Sequence, residues 1–233
     1  MEGKKEEYYI KVHMYNLVVE NPESTVVAEY KPPYRKETAY QSEADLEKAF
    51  INLLQSQAYE YLSITSESDL ISNLRCKLET LNNYQFTEIE WKQFFTSRVA
   101  NLNMGVEEKT HVIQEDHIQL LTREDGTVKN IRLIDKENIH NNSLQVINQY
   151  ETDQGQRPNR YDVTILVNGL PLVHVELKKR GVYIKEAFNQ INRYSRESFW
   201  AGSGLFEYVQ LFVISNGTHT KYYSNTTRST HIR

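Results

Sequence analysis

Cysteine is nearly absent from this 233-residue chain: Cys76 stands alone. One thiol closes no disulfide within the chain, and it builds no zinc site, which takes several Cys or His ligands. No apolar run approaches the 18 residues that a membrane-spanning helix needs. The opening Met1-Glu2-Gly3-Lys4-Lys5-Glu6-Glu7 is too acidic for a secretory signal, so a reducing cytoplasm is the expected location and no membrane partner is expected. No Gly-x-x-x-x-Gly-Lys-Ser/Thr loop occurs, which excludes ATP binding of that kind. Nor is there an excess of positive charge. With 27 Lys+Arg against 31 Asp+Glu the net charge is −4, not that of a protein that binds nucleic acid over its whole surface. There is no internal repeat or low-complexity segment. What remains is 39% hydrophobic and 25% charged, the composition of one large globular domain or one with an insertion.

The charge is unevenly spread. Residues 157–196 hold eight Lys/Arg against three Asp/Glu, a net +5 that leaves −9 for the rest. A basic patch on an acidic body can meet phosphate, although a solvated Lys/Arg-rich helix face would look the same.

Residues 1–35, with Pro22, Pro32 and Pro33, read as an irregular arm with one strand around Leu17–Val19. A first helix is expected from Ser42, where Glu43 and Asp45 suit the positive helix start and Leu46, Ala49, Phe50, Leu53 and Leu54 recur at helical spacing. A second is expected over about 69–81. A third is announced by the capping box Thr87-Glu88-Ile89-Glu90. Together the pair reads as a helical insertion over about 66–102. From about Lys109 the period becomes that of strands, at 117–121, 128–134 around the Asp125-Gly126 turn, 144–147 and the very apolar 163–175. A helix over 184–197, a buried strand over 209–214 and an edge strand over 221–223 complete an α/β order, a mixed sheet flanked by helices.

Strands 161–167 and 170–178 are joined at Asn168-Gly169, a strong hairpin signal that allows two registers. A two-residue loop pairs residues whose numbers sum to 337. A three-residue loop, with Gly169 in a left-handed bulge position, pairs those summing to 336. A slip of one residue turns a strand over, so parity decides the faces. The 336 register gives a uniform apolar face of Val163, Ile165, Val173, Val175 and Leu177, whereas 337 breaks it. The three-residue loop is therefore expected, with Asp162, Thr164, His174, Glu176 and Lys178 opposite.

Two carboxylates beside a lysine at the end of an apolar hairpin suit one chemistry. Asp162 and Glu176 can hold Mg²⁺, which takes oxygen ligands and keeps several waters. The metal can activate water and stabilise charge on a phosphodiester, with a neighbouring ammonium assisting. Glu-x-Lys alone says little, for it occurs five times, beginning at Glu2, Glu29, Glu90, Glu107 and Glu176. Only Glu176-Leu177-Lys178 ends an apolar strand with an aspartate opposite. A cross-strand salt bridge at a sheet edge would satisfy the same pattern.

In this order, Asn159-Arg160-Tyr161-Asp162-Val163, Glu176-Leu177-Lys178-Lys179-Arg180 and Gln190-Ile191-Asn192-Arg193-Tyr194 resemble the N-terminal nuclease domain of the restriction (R) subunit of type I restriction–modification enzymes, a branch of the PD-(D/E)xK superfamily. The resemblance runs from about Tyr40 through Thr227. It implies a restriction-endonuclease-like core over 36–228 and the start of a linker to a motor at 229–233. It makes Asp162 and Glu176 metal ligands and Lys178 the catalytic lysine. Gln190 and Tyr194, neighbours at i and i+4 on a helix, match its Gln-x-x-x-Tyr motif. Glu43 or Glu47 resembles an acidic residue bordering such sites, and Lys179, Arg180 and Arg193 are the expected phosphate contacts.

The implied activity is Mg²⁺-dependent cleavage of double-stranded DNA, with modification (M) and specificity (S) subunits as partners. ATP would serve a translocating motor that this chain lacks, so it reads as an N-terminal fragment. Two other readings stand beside it: another nuclease of the superfamily acting in repair or junction resolution, and a non-catalytic module docking the motor to the methylase core. Tyr161 and His174 are left as core or rim.

Overall fold

A computed structural model describes residues 15–20, 26–30, 42–152 and 159–225. The chain divides into two compact units, Met1–Tyr40 and Gln41–Arg233. The first contains an antiparallel pair, β1 (Tyr15–Glu20) and β2 (Val26–Tyr30), where a single strand was expected.

The second unit is built on a six-stranded mixed sheet. Its strands are β3 (Glu60–Tyr61), β6 (Leu144–Thr152), β7 (Asn159–Val167), β8 (Leu170–Leu177), β9 (Leu211–Ser215) and β10 (Thr220–Ser224). They lie in the order β10-β9-β8-β7-β6-β3. The neighbours β8/β9 and β6/β3 are parallel, and the other three pairs antiparallel. A separate hairpin, β4 (Ile118–Thr122) and β5 (Val128–Arg132), turns at Asp125-Gly126.

One face of the sheet is covered by α1 (Glu43–Ser56). Ser42 begins it, its Oγ accepting from Asp45 N while the Asp45 carboxylate accepts from Ser42 N. Ile51 and Leu54 then face Val146, Val163, Val175 and Leu177, with Ile165 and Val173 partly buried alongside. This is the expected apolar face. The other face is covered by α2 (Glu67–Asn82) and α5 (Ile184–Glu197), the second forming the crossover that a parallel β8/β9 pair requires.

The segment 66–102 is more than an insertion. Leu70, Leu74 and Leu78 of α2 are at most 1% exposed. Burying three leucines is worth roughly 5–9 kcal/mol of transfer free energy, which makes α2 a principal cover of the sheet. The capping box at Thr87 starts α3 (Glu88–Phe94), which continues into a π-helical turn at Phe95–Val99. A further helix, α4 (Val106–Gln114), lies where strands were expected. Its buried face reads Lys109, Thr110, Val112 and Ile113, so the apolar period is interrupted by a lysine. That ammonium is neutralised by Glu207 at 2.6 Å and donates to the Gly204 carbonyl at 2.9 Å, partners about 95 residues away. Among the described residues no helix is long and apolar enough to cross a membrane.

The central hairpin departs from expectation in an instructive way. Its loop has two residues, Asn168 (φ 51°) and Gly169 (φ 85°), both left-handed as the tight hairpin turn demands. Val167 pairs Leu170 and Leu166 pairs Pro171, the 337 register. Beyond that Ile165 pairs Val173 and Val163 pairs Val175, because Leu172 is an extra residue on β8. The bulge follows Pro171, which has no N–H to give to the ladder. Parity is thus restored at Leu172, and the faces come out as expected although the three-residue loop does not exist. Asn168 fixes the tight turn: its side-chain oxygen accepts from Ser143 N, and its amide donates to the Leu133 carbonyl and Asn142 Oδ1.

A Cβ on Gly169 would stand 2.5 Å from Leu74 Cα, so the turn lies directly on the α2 backbone. Gly169→Ala is expected to cost about 2–4 kcal/mol, combining left-handed strain with overpacking. Gly126→Ala, equally left-handed (φ 81°) but in open space, should cost about 1–2 kcal/mol. Urea unfolding of both variants checks this. Equal losses would show that the turn does not press on α2.

Candidate active site

The chemistry-bearing residues converge where β7 begins and β8 ends. Regular alternation sends Thr164, His174 and Glu176 to the α5 face, and Thr164 pairs His174 directly across the ladder. Glu176 is fully buried. Its Oε1 accepts from Lys178 Nζ at 2.9 Å, and the same ammonium donates to the Leu177 carbonyl at 3.1 Å. Burial works against the Lys178 charge, but the Glu176 carboxylate beside it holds the ammonium above its ordinary pKa. Lys178 therefore stays protonated.

Asp162 is the third member. Its Oδ2 accepts from Leu177 N at 2.9 Å, tying the start of β7 to the end of β8. Burial and the nearby Glu176 charge push its carboxyl up to about 7, while the Leu177 N–H and Lys178 pull the other way. Asp162, Glu176 and Lys178 are thus within one electrostatic neighbourhood.

Simple alternation does not account for this placement. Val163 lies on the α1 face, yet Tyr161, which shares its parity, packs on the α5 face against His174 and Tyr194. On the neighbouring strand Val146 lies on the α1 face and Tyr150 on the other. Both strands turn over at the same level, at Asp162 in β7 and at Gln149 in β6. Gln149 has φ 53°, a left-handed backbone rare for a residue other than Gly, Asn or Asp. As a result Asn148 and Gln149, consecutive residues, both donate to the Glu47 carboxylate. Backbone held in such a region is characteristic of functional sites. Composition offers no sign of it, since glutamine is not a turn former.

Two of the three acidic residues of α1, Glu43 and Glu47, border the site. Glu43 accepts from Lys179 N at 3.2 Å and adds to the field on Lys178. Glu47 is clamped by β6, and its charge also raises the Asp162 carboxyl. Gln190 donates to the Tyr194 hydroxyl, which donates to the Arg160 carbonyl at 2.8 Å. Tyr194 is 1% exposed, so this pair anchors the strand two residues before Asp162. Burial and the Glu176 charge push its phenol up to about 12. Tyr161 and His174 are core, at 1% and 0% exposure.

The basic residues are outside. Lys179 and Arg180 are exposed in the loop after β8, and Arg193 is exposed with its guanidinium 5.4 Å from the centre of the Tyr194 ring. A cavity of about 810 Å³ is lined by residues that include Tyr150, Arg160, Tyr161 and Phe206. Asp162, Glu176 and Lys178 do not line it.

The family described as type I restriction enzyme R protein N terminus matches residues 40–231. Among curated relatives, the type I restriction enzyme EcoprrI endonuclease subunit of Escherichia coli is 48% identical over 212 residues, covering 91% of this chain and 67% of that protein. The SsaAORF53P endonuclease subunit of Staphylococcus saprophyticus is 39% identical over 191 residues, covering 80% of this chain and 20% of its own length. The putative MjaIXP endonuclease subunit of Methanocaldococcus jannaschii is 34% identical over 116 residues. The chain thus spans about two thirds of the first relative and a fifth of the second.

The Asp162 carboxyl sets a pH dependence. It titrates at about 7 in the folded chain against 3.8 ordinarily. Between these values the folded state holds a proton that the unfolded state has lost, so its contribution to stability is complete below 3.8 and is lost as pH rises through 7. Asp162→Asn is therefore expected to exceed the wild type in stability at pH 8, by up to about 4 kcal/mol, with the gap closing toward pH 4. Urea unfolding in EDTA across that range checks it. A gap independent of pH would mean that Asp162 ionises as freely folded as unfolded.

Proposed function

The chain belongs to the family of type I restriction enzyme R protein N termini, and from that premise we propose that its second unit is a metal-dependent nuclease domain of the PD-(D/E)xK kind, hydrolysing phosphodiester bonds of double-stranded DNA. One observation carries the reading. Two carboxylates, the fully buried Glu176 and the partly buried Asp162, interact at a strand end, with a single lysine for counter-charge. Like charges so placed disfavour each other's ionisation unless a cation joins them.

The residues fit Mg²⁺. Asp162 and Glu176 offer carboxylate oxygens, the ligands this ion takes, and only Lys178 stands against their joint charge. Among the described residues no group of three His, Cys, Asp or Glu side chains could hold a metal. Mg²⁺ does not need one, since it is commonly held by one or two carboxylates while keeping waters and binding substrate phosphate. Bound there, the ion would supply Lewis acidity toward a phosphate oxygen and a water of lowered pKa.

The roles of the chain's own residues follow. Asp162 and Glu176 hold the ion. Lys178, kept charged by Glu176, acts as an electrostatic partner of the attacked phosphate and its water rather than as a general base. Gln190 and Tyr194 hold the Arg160–Asp162 backbone in place, and Glu43 and Glu47 brace the rim. Lys179, Arg180 and Arg193 contact phosphates without reading sequence. Sequence recognition then falls to the M and S subunits of a cytoplasmic type I complex, and DNA is brought to the site by an ATP-driven motor outside this chain.

In such an assembled enzyme, Glu176→Gln or Lys178→Ala is expected to abolish DNA cleavage while ATP hydrolysis persists. Cleavage by Lys178→Ala at the normal rate would overturn its role.

For the 233-residue chain alone, Mg²⁺ at ten times its dissociation constant should stabilise the wild type by about 1.4 kcal/mol and Glu176→Gln by far less. The same chain should nick plasmid poorly at physiological salt, where non-specific DNA binding is roughly 10⁻⁴–10⁻⁶ M and the +5 patch is opposed by −9 elsewhere. Urea unfolding with and without Mg²⁺ and a plasmid assay at two salt concentrations check both. Absence of any Mg²⁺ stabilisation would remove the metal reading.

A further inference from the structure

His174 precedes Glu176 by two residues on β8 and is fully buried. The rings of Tyr161, Tyr194, Phe199 and Phe212 surround it edge-to-face at 5.6, 5.9, 5.8 and 6.4 Å. A phenylalanine would suit such a box. Instead both imidazole nitrogens are there, and neither has a hydrogen-bond partner. The same is true of Glu176 Oε2, Thr164 Oγ1 and the Tyr223 hydroxyl. Thr164 pairs His174 on one side, and Phe212 pairs it on the other and Tyr223 in turn, so these atoms belong to one row across the sheet. His174 Nε2 lies 3.4 Å from Glu176 Oε2. Buried polar atoms are rarely left unpaired, and a cluster of them behind a charged site calls for an explanation.

We propose that His174 is a positioning residue for Glu176: it carries a proton on Nε2 and presents that N–H to Oε2 so that Oε1 stays turned toward Lys178. The proposal rests on the reading of Glu176 as an ion-holding carboxylate. A neutral imidazole has one donor and one acceptor nitrogen. The opposite tautomer would aim a lone pair at the carboxylate oxygen, and the tyrosine hydroxyls of the box are engaged elsewhere, Tyr161 donating to Ser198 and Tyr194 to the Arg160 carbonyl. Nδ1 is then the acceptor, and the Thr164 hydroxyl across the ladder is a donor of matching kind. The bond is long and misaligned without the ion, as hydrogen bonds of such sites commonly are before loading. Partners of this type orient a metal ligand, and their loss typically weakens metal binding 10–100-fold.

Two measurements on the full chain decide the matter. The first uses ¹⁵N-histidine NMR in EDTA, with His174→Gln assigning the signal. The Nε2–H tautomer is expected, with its proton resonance moving in Glu176→Gln; an Nδ1–H tautomer overturns the proposal. The second is Mn²⁺ titration by calorimetry. His174→Leu is expected to bind roughly 10–100-fold more weakly than the wild type, while His174→Gln, which keeps an N–H donor, stays within about threefold. Wild-type affinity in His174→Leu overturns the proposal. Should that variant fail to fold, the tautomer and His174→Gln decide. If the wild type binds no Mn²⁺, the metal reading falls, while the tautomer still decides the positioning role.

Discussion

Glu176 is the constraint around which the second unit is arranged. A carboxylate with no solvent exposure is costly unless paired, and Lys178 supplies the pairing at 2.9 Å from two residues along the same strand. That bond satisfies one oxygen only. The other faces His174 in an aromatic box, and Asp162, bonded to Leu177 N, brings a second carboxylate to the same strand end. The neighbourhood holds more negative charge than its lysine balances. The proposed Mg²⁺ would relieve this excess.

The sheet is bent to make the arrangement possible. Tyr161 and Tyr150 belong to the aromatic core under α2 and α5, while Val163 and Val146 belong to the face under α1. Strict alternation cannot serve both, so β6 and β7 turn over together at Gln149 and Asp162. Asn148 and Gln149 can then grip Glu47 jointly. Tyr194, held by Gln190, secures the adjoining backbone through the Arg160 carbonyl. The motif-like residues are therefore of two kinds. Some carry charge to the site, and others keep a distorted strand in the one conformation that places Asp162.

Local signals determined a good deal. The Ser42 and Thr87 caps, the α5 helix over 184–197, the Asn168-Gly169 turn and the apolar face of β7 and β8 follow from side-chain spacing and capping chemistry within a few residues. Among five Glu-x-Lys triplets, the one ending an apolar strand could be singled out because a strand's environment is written in its own alternation. The residues that carry family likeness were legible for the same reason, since they lie in short contiguous blocks.

Tertiary structure decided the remainder. Whether parity was restored in the loop or at Leu172 depended on Asn168 meeting Ser143, Leu133 and Asn142. Helix α4 escaped its sequence pattern because the lysine on its buried face is neutralised by Glu207, nearly a hundred residues on. The left-handed turn at Gln149 has no compositional sign, for it is sustained by packing on both faces of the sheet. His174 could have been core or rim: alternation places it beside Glu176 on one face of β8, but its full burial comes from Tyr194 of α5 and the Phe199 and Phe212 rings closing around it. Such features depend on which distant groups are brought together to satisfy buried charge and polarity, and a linear pattern does not record that.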